Sequence, residues 1–162
     1  MVTLDDIRAA AERLVGVAHR TPLERSDVFS RWAGRDVMLK FENQQRTGAF
    51  KIRGAYNKMQ TLTDEQRAAG VIAPSAGNHA QAVAWAARSA GVPAVVDMPS
   101  SASLAKIGAT EGYGARVELV GDSVDDAVAA AQGAVAENGK TLVHPFDDPA
   151  VIAGQGTVGL EI

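Results

Sequence analysis

The sequence predicts an α/β fold: an open, parallel, twisted sheet with flanking helices. Two observations point there. Four short apolar runs, Val71-Ile72-Ala73, Pro93 to Val96, Arg116 to Val120 and Thr141 to Val143, recur at a spacing of roughly two dozen residues with helical patterns between them. The helical patterns are well marked: Ala80 to Ala90 is alanine-rich around Val83 and Trp85, and Ser123 to Asn138 opens with the capping box Ser123-Val124-Asp125-Asp126 and stops at Gly139. Repeated βα units of this kind imply right-handed crossovers and mostly buried strands.

Upstream of residue 70 the elements are shorter. Thr3 and Asp6 form a capping-box-like start, and Leu4, Ile7, Ala11, Leu14 and Val15 recur at helical spacing before Gly16 supplies a stop. His19-Arg20-Thr21-Pro22-Leu23 is turn or extended, because a residue before proline is pushed out of the helical region. Ser26 caps a short helix ending near Gly34, and Val37 to Phe41 reads as a strand.

Composition narrows the chemistry mainly by exclusion. With 162 residues, 46% of them hydrophobic and 22% charged, the chain can build a real core and does not read as disordered. The absence of cysteine removes disulfides, thiolate metal sites and a cysteine nucleophile together. A net charge of -3 gives no electrostatic case for a nucleic-acid or anionic-membrane partner. The acidic start Thr3-Leu4-Asp5-Asp6 does not resemble a signal peptide, and no stretch reaches the apolar length of a membrane span, so a soluble, cytoplasmic protein is expected. His19, His79 and His144 show no metal-binding spacing, so no metal site is expected.

Two segments carry more polar character than packing requires. The first is the loop Glu42 to Gly48 running into a helix whose first turn holds Phe50 and Lys51. A lysine at the positive end of a helix dipole is pushed toward its neutral form, which is the form a Schiff-base lysine needs. The second is Pro74-Ser75-Ala76-Gly77-Asn78-His79-Ala80-Gln81, after the first strand of the repeating region and before a helix, where open α/β sheets bind ligands. Each also has a plain reading: an exposed lysine on a helix surface, and an ordinary βα turn with Asn78 or Ser75 as N-cap.

Together the segments resemble the N-terminal signatures of fold-type II pyridoxal-phosphate enzymes, specifically the serine/threonine dehydratase branch. The resemblance is carried by Glu42, Thr47 and Ala49-Phe50-Lys51-Ile52-Arg53-Gly54-Ala55, and by the Ser75-to-Gln81 loop. Further matches run from Arg20-Thr21-Pro22-Leu23 through Lys40 to Asn43, Met98-Pro99, Gly112 to Ala115, and His144 to Pro149 into Val151 to Thr157, nearly the whole chain in register. The resemblance implies that Lys51 binds pyridoxal 5'-phosphate and, as free amine, removes the substrate Cα proton. It implies that Phe50 packs against the pyridine ring, that Asn78 hydrogen-bonds the ring hydroxyl oxygen, and that Ser75, the backbone around Ala76 and Gly77, and His79 hold the substrate carboxylate. The implied reaction is β-elimination of water from L-threonine, and also from L-serine, to 2-oxobutanoate or pyruvate and ammonia.

Branch and completeness rest on fewer residues. Ile52-Arg53 and His79 stand where cysteine and threonine synthases tend to carry other residues, and Ala76 stands where serine racemases usually carry an acid/base serine. Elimination is therefore expected over racemisation, with a serine racemase-like enzyme as the alternative. By the same resemblance, residues 1–69 belong to a large lobe, 70–148 to a small βαβ lobe, and 149–162 to the start of a helix returning to the large lobe. The family's glycine-rich phosphate loop and pyridine-nitrogen partner would lie beyond residue 162. The 162-residue chain alone could thus be catalytically silent, while the full-length enzyme would be a homo-oligomer. Gly154-Gln155-Gly156-Thr157-Val158-Gly159 spells a dinucleotide fingerprint, but no strand directly precedes it, so a helix start with close backbone packing is expected.

Overall fold

The computed structural model describes residues 1–162. Helix α1 (Leu4–Arg13) begins as its capping box dictates: Thr3 Oγ1 accepts from the Asp6 N–H, and the Asp6 carboxylate accepts from the Thr3 N–H. The helix ends before the expected stop, and Gly16, at φ 74, makes the turn that follows. Of its apolar stripe and the residues just past it, Ala10 and Leu14 are buried, while Leu4 and Val15 remain exposed. Strands β1 (Leu23–Arg25) and β2 (Met38–Lys40) pair antiparallel around α2 (Asp27–Ala33), which Ser26 caps and left-handed Gly34 closes as the sequence predicts. Two 3₁₀ turns, Glu42–Gln44 and Arg46–Gly48, lead into α3 (Lys51–Gln60), followed by a short capped helix α4 (Asp64–Ala69) that the apolar pattern does not reveal.

The main sheet contains β3 (Val71–Pro74), β4 (Ala94–Met98), β5 (Arg116–Leu119) and β6 (Thr141–Leu142), all parallel in the order β5-β4-β3-β6. Helices α5 (Asn78–Ala90), α6 (Leu104–Gly112) and α7 (Val124–Asn138) connect them; α7 has the predicted Ser123–Asp126 box and ends at left-handed Gly139. Mostly buried strands are found only in the centre. β3 is buried throughout, whereas β5 and β6, each with a single neighbour, are half-exposed, and β5 alternates Arg116 and Glu118 with apolar residues.

Alternation along the central strands assigns the helices to faces. Val71 and Ala73 pack with α5, α3 and Val151, Val96 and Met98 pack with Ala80 and Ala84 of α5, and Ile72 and Val95 pack with Ala131 of α7. Each fully buried aliphatic side chain contributes ~1.5–3 kcal/mol. The largest core cluster joins Ala55 and Met59 to Val83, Val143 and Val151, so it runs continuously across positions 70 and 149.

Helix α8 (Pro149–Gly156) starts at Asp148, whose carboxylate accepts from the Ala150 and Val151 N–H groups, and continues into a 3₁₀ turn, Thr157–Glu161. The glycine motif therefore lies at a helix end and not at the expected helix start. Its close backbone packing is real: a Cβ on Gly154 would stand 2.5 Å from the Arg53 carbonyl oxygen and 2.6 Å from Gly54 Cα. These two glycines let α8 cross α3 backbone to backbone. No helix is long and apolar enough to cross a membrane.

Candidate active site

The topology of the sheet marks one place for a ligand. From β3 the chain builds outward through β4 to β5, then α7 returns it to the opposite side of β3 as β6. The carboxyl ends of β3 and β6 thus flank the point where the winding reverses, the usual ligand crevice of open α/β sheets. The loop after β3 is Ser75 to Gly77, and the segment after β6 runs through Pro145 and Phe146.

Lys51, the first residue of α3, reaches this place. Its Nζ donates to the Pro145 carbonyl at 2.7 Å and lies 5.3 Å from the Phe50 ring centroid. Phe50 occupies the N-cap position, and both residues line an open cleft of ≈ 400 Å³ with Pro145, Phe146, Ile152 and Gln155. Gln155 is tied to the helix start, accepting from the Gly54 N–H at 3.3 Å. Burial without a carboxylate partner lowers the Lys51 pKa from its ordinary value. The downward direction expected from the helix dipole is found, with burial as its cause.

The β3 loop has a different geometry from either plain reading. Ser75 donates its N–H to the Asp97 carbonyl at 3.0 Å, and its Oγ accepts from the Gly77 N–H at 3.3 Å, so it does not cap α5. Gly77 is the N-cap, with no side-chain cap bond, and Asn78 opens the helix with its side chain exposed. The N–H groups of a first helical turn have no acceptor within the helix, which leaves those of Asn78, His79 and Ala80 available to an anion. Ala76 packs its methyl against the cluster around Val96 and Met98.

His79 is only 3% exposed, and its Nε2 lies 2.8 Å from the Val143 carbonyl. Because a carbonyl only accepts, Nε2 carries the proton and Nδ1 is a bare acceptor with no partner. Burial lowers its pKa to about 4, helped by Lys51 and His144, against the pull of the Val143 bond. The imidazole is therefore occupied inside the fold, and the backbone N–H is what His79 can offer an anion. The structure brings Lys51 and His79 to either side of Val143 to Pro145, while Ser75 and Asn78 do not line the Lys51 cleft itself.

Two features escape sequence reasoning. Thr47, just before the lysine helix, has φ 60, the only non-glycine residue in the left-handed region, and its Oγ1 is buried without a partner. The second is a buried ionic network under α3. Arg53 Nε and Nη2 grip the Glu42 carboxylate at 2.9 and 2.8 Å, Nη1 donates to Glu161 at 2.6 Å, and Lys40 Nζ donates to Glu161 at 2.5 Å.

The donor set fits a flat, electrophilic, anionic group such as pyridoxal 5'-phosphate. Lys51 supplies an amine of lowered basicity, Phe50 an aromatic face beside it, and the α5 start free N–H groups. The unpartnered Thr47 Oγ1 and His79 Nδ1 belong to the segments around that amine.

Comparison with known proteins agrees with this chemistry. A family model described as "Pyridoxal-phosphate dependent enzyme" matches residues 16–162. The L-threonine ammonia-lyase of Thermotoga maritima is 53% identical over 162 residues, which is 100% of this chain and 40% of that protein. The structure of maize serine racemase superposes with a TM-score of 0.93 at 38% identity over 99% of this chain and 49% of that one. The processed form of threonine deaminase isoform 2 from Solanum lycopersicum superposes with a TM-score of 0.87 at 38% identity over 98% and 45%. The chain spans less than half the length of each of these relatives.

Proposed function

The chain belongs to the family of pyridoxal-phosphate dependent enzymes, and from that premise we propose that the protein deaminates L-threonine, and L-serine with it, by β-elimination of water to a 2-oxo acid and ammonia. The observation that carries this reading is Lys51: an amine without a counter-ion, beside an aromatic ring and a cleft at the reversal point of the sheet. The 53% identity to a threonine ammonia-lyase supports the choice of reaction.

In this reading Lys51 holds the cofactor and, once displaced by the substrate amine, accepts the Cα proton on Nζ. Its lowered pKa keeps a larger fraction of the amine unprotonated at a given pH. Bound pyridoxal 5'-phosphate supplies the electron sink for the pair left when the Cα–H bond breaks. Phe50 offers its ring to the pyridine, Asn78 its amide to the ring hydroxyl oxygen, and the backbone from Ser75 through His79 its N–H groups to the substrate carboxylate. The same reading makes the full-length enzyme a cytoplasmic homo-oligomer.

Racemisation needs a proton donor on the opposite face of the substrate, and the half-buried Ala76 methyl has none to give. The test uses a protein of the relatives' full length that contains this chain. With cofactor and L-threonine it should release 2-oxobutanoate, and with L-serine more pyruvate than D-serine. Absence of 2-oxo acid would overturn the reading, and D-serine forming faster than pyruvate would replace it with a racemase.

A further inference from the structure

We infer that His79 is a positioning residue that holds the acceptor of Lys51 in place by pinning the end of β6 across the reversal point of the sheet. This goes beyond an anion contact from its backbone, and it rests on the reading of Lys51 as the reactive amine. The end of β6 needs such a tie. The strand has two half-exposed residues and a single neighbour, β3. Beyond it, Val143 donates its N–H to the Ile72 carbonyl at 2.8 Å, and its own carbonyl leaves the ladder to accept from His79. Two residues later the Pro145 carbonyl accepts from Lys51 Nζ. The turn between them is built locally, with His144 Nδ1 accepting from the Phe146 and Asp147 N–H groups at 3.3 and 2.8 Å. One side-chain bond therefore joins the start of α5, which carries the anion-binding N–H groups, to the segment that roofs Lys51.

The bond requires a proton on Nε2, and burial keeps the ring otherwise neutral, so that Nδ1 carries none. The ionisable groups that bear on His79 are Lys51 on α3 and His144 on the segment itself, and both disfavour a second positive charge there. Without the donor, the Val143 carbonyl loses its partner, the segment lifts, and water reaches Lys51. Relief of burial then returns the lysine toward ordinary basicity.

The test reads His79 and Lys51 directly in the 162-residue chain. Long-range proton–nitrogen spectra should show His79 as the Nε2–H tautomer, still neutral at pH 6; an Nδ1–H tautomer would overturn the inference. The pH profile of Lys51 acetylation by acetic anhydride, followed peptide by peptide, supplies the second readout. His79→Gln keeps a donor and should keep the parent profile. His79→Phe fills the volume without a donor and should move the profile to higher pH, so that acetylation at a fixed pH below the midpoint is slower than in the parent. A His79→Phe profile identical to the parent's overturns the positioning role; if that variant does not fold, the tautomer and His79→Gln decide it. A parent Lys51 that reacts like exposed Lys106 overturns the functional reading instead, and the tautomer still decides the pin.

Discussion

Lys51 and Arg53 stand two residues apart at the start of α3, about 200° apart around the helix, and their surroundings are opposite. Arg53 is 1% exposed and uses every nitrogen, on Glu42, Glu161, Thr157 and the His19 carbonyl. Burial works against its charge, but the two carboxylates outweigh it and raise its pKa. The carboxylates respond in kind: burial pushes Glu42 and Glu161 up, and hydrogen bonds with Arg53, Thr21 and Lys40 bring both below their ordinary values. Lys51 has one carbonyl and no carboxylate, so burial lowers its pKa. One helix turn thus carries a cation whose charge its partners secure and a cation whose charge burial disfavours. The first anchors the helix, and the second is available for chemistry.

The largest effect separates the two by function. Lys51→Ala in a full-length protein should cut 2-oxo acid formation by on the order of 10²–10⁴ or more, with the melting temperature little changed; retained turnover would break the comparison. Arg53→Met should do the reverse through the fold. It leaves Glu42 without its bidentate partner and Glu161 with Lys40 alone, at a cost of ~3–5 kcal/mol in urea unfolding. The sign with pH follows from the lowered carboxylate pKa values: the parent's extra stability is present above the ordinary carboxylate range and is lost as pH falls through the lowered folded values. The variant should lack that acid-side loss.

A third ionisable group sharpens the contrast from the anionic side. Asp97 is 2% exposed at the end of β4, with Oδ1 unpartnered and Glu118 beside it in the neighbouring strand. Burial first, and Glu118 second, raise its pKa to about 6 from 3.8. The folded state therefore holds its proton more tightly than the unfolded chain. No penalty exists below about pH 4; it grows between about 4 and 6 and stays constant above, reaching on the order of 1–3 kcal/mol with screening by water taken into account. Asp97→Val should stabilise the chain by up to about that amount at pH 7 and remove the decline between pH 4 and 6, which denaturant melts at several pH values check.

How far these features were legible depends on the reach of each signal. Thr3 with Asp6, and Ser123 with Asp126, announce helices because a capping box acts over three residues. The parallel strands are legible as apolar runs between helices. Helix α4 escapes because its six residues are polar or small and bury nothing fully. Lys51 is legible from its place at a helix start and the matching motif around it. The Arg53 network is not, since its partners lie 11 and 108 residues away. His79 shows the same limit: its imidazole bonds a carbonyl 64 residues distant, which no local pattern reveals. Asp97 interrupts an apolar run without any local sign that it is buried unpaired.

The central claim is that Lys51 is the chain's reactive amine, and covalent trapping tests it most directly. The 162-residue chain is incubated with pyridoxal 5'-phosphate, reduced with borohydride and mapped over its five lysines. Lys40 is held by Glu161 and Lys58 by Asp148, while Lys106 is exposed. The account predicts label concentrated on Lys51 and lost in Lys51→Ala. Label spread over Lys106 and Lys140, with Lys51 unmodified, would contradict it.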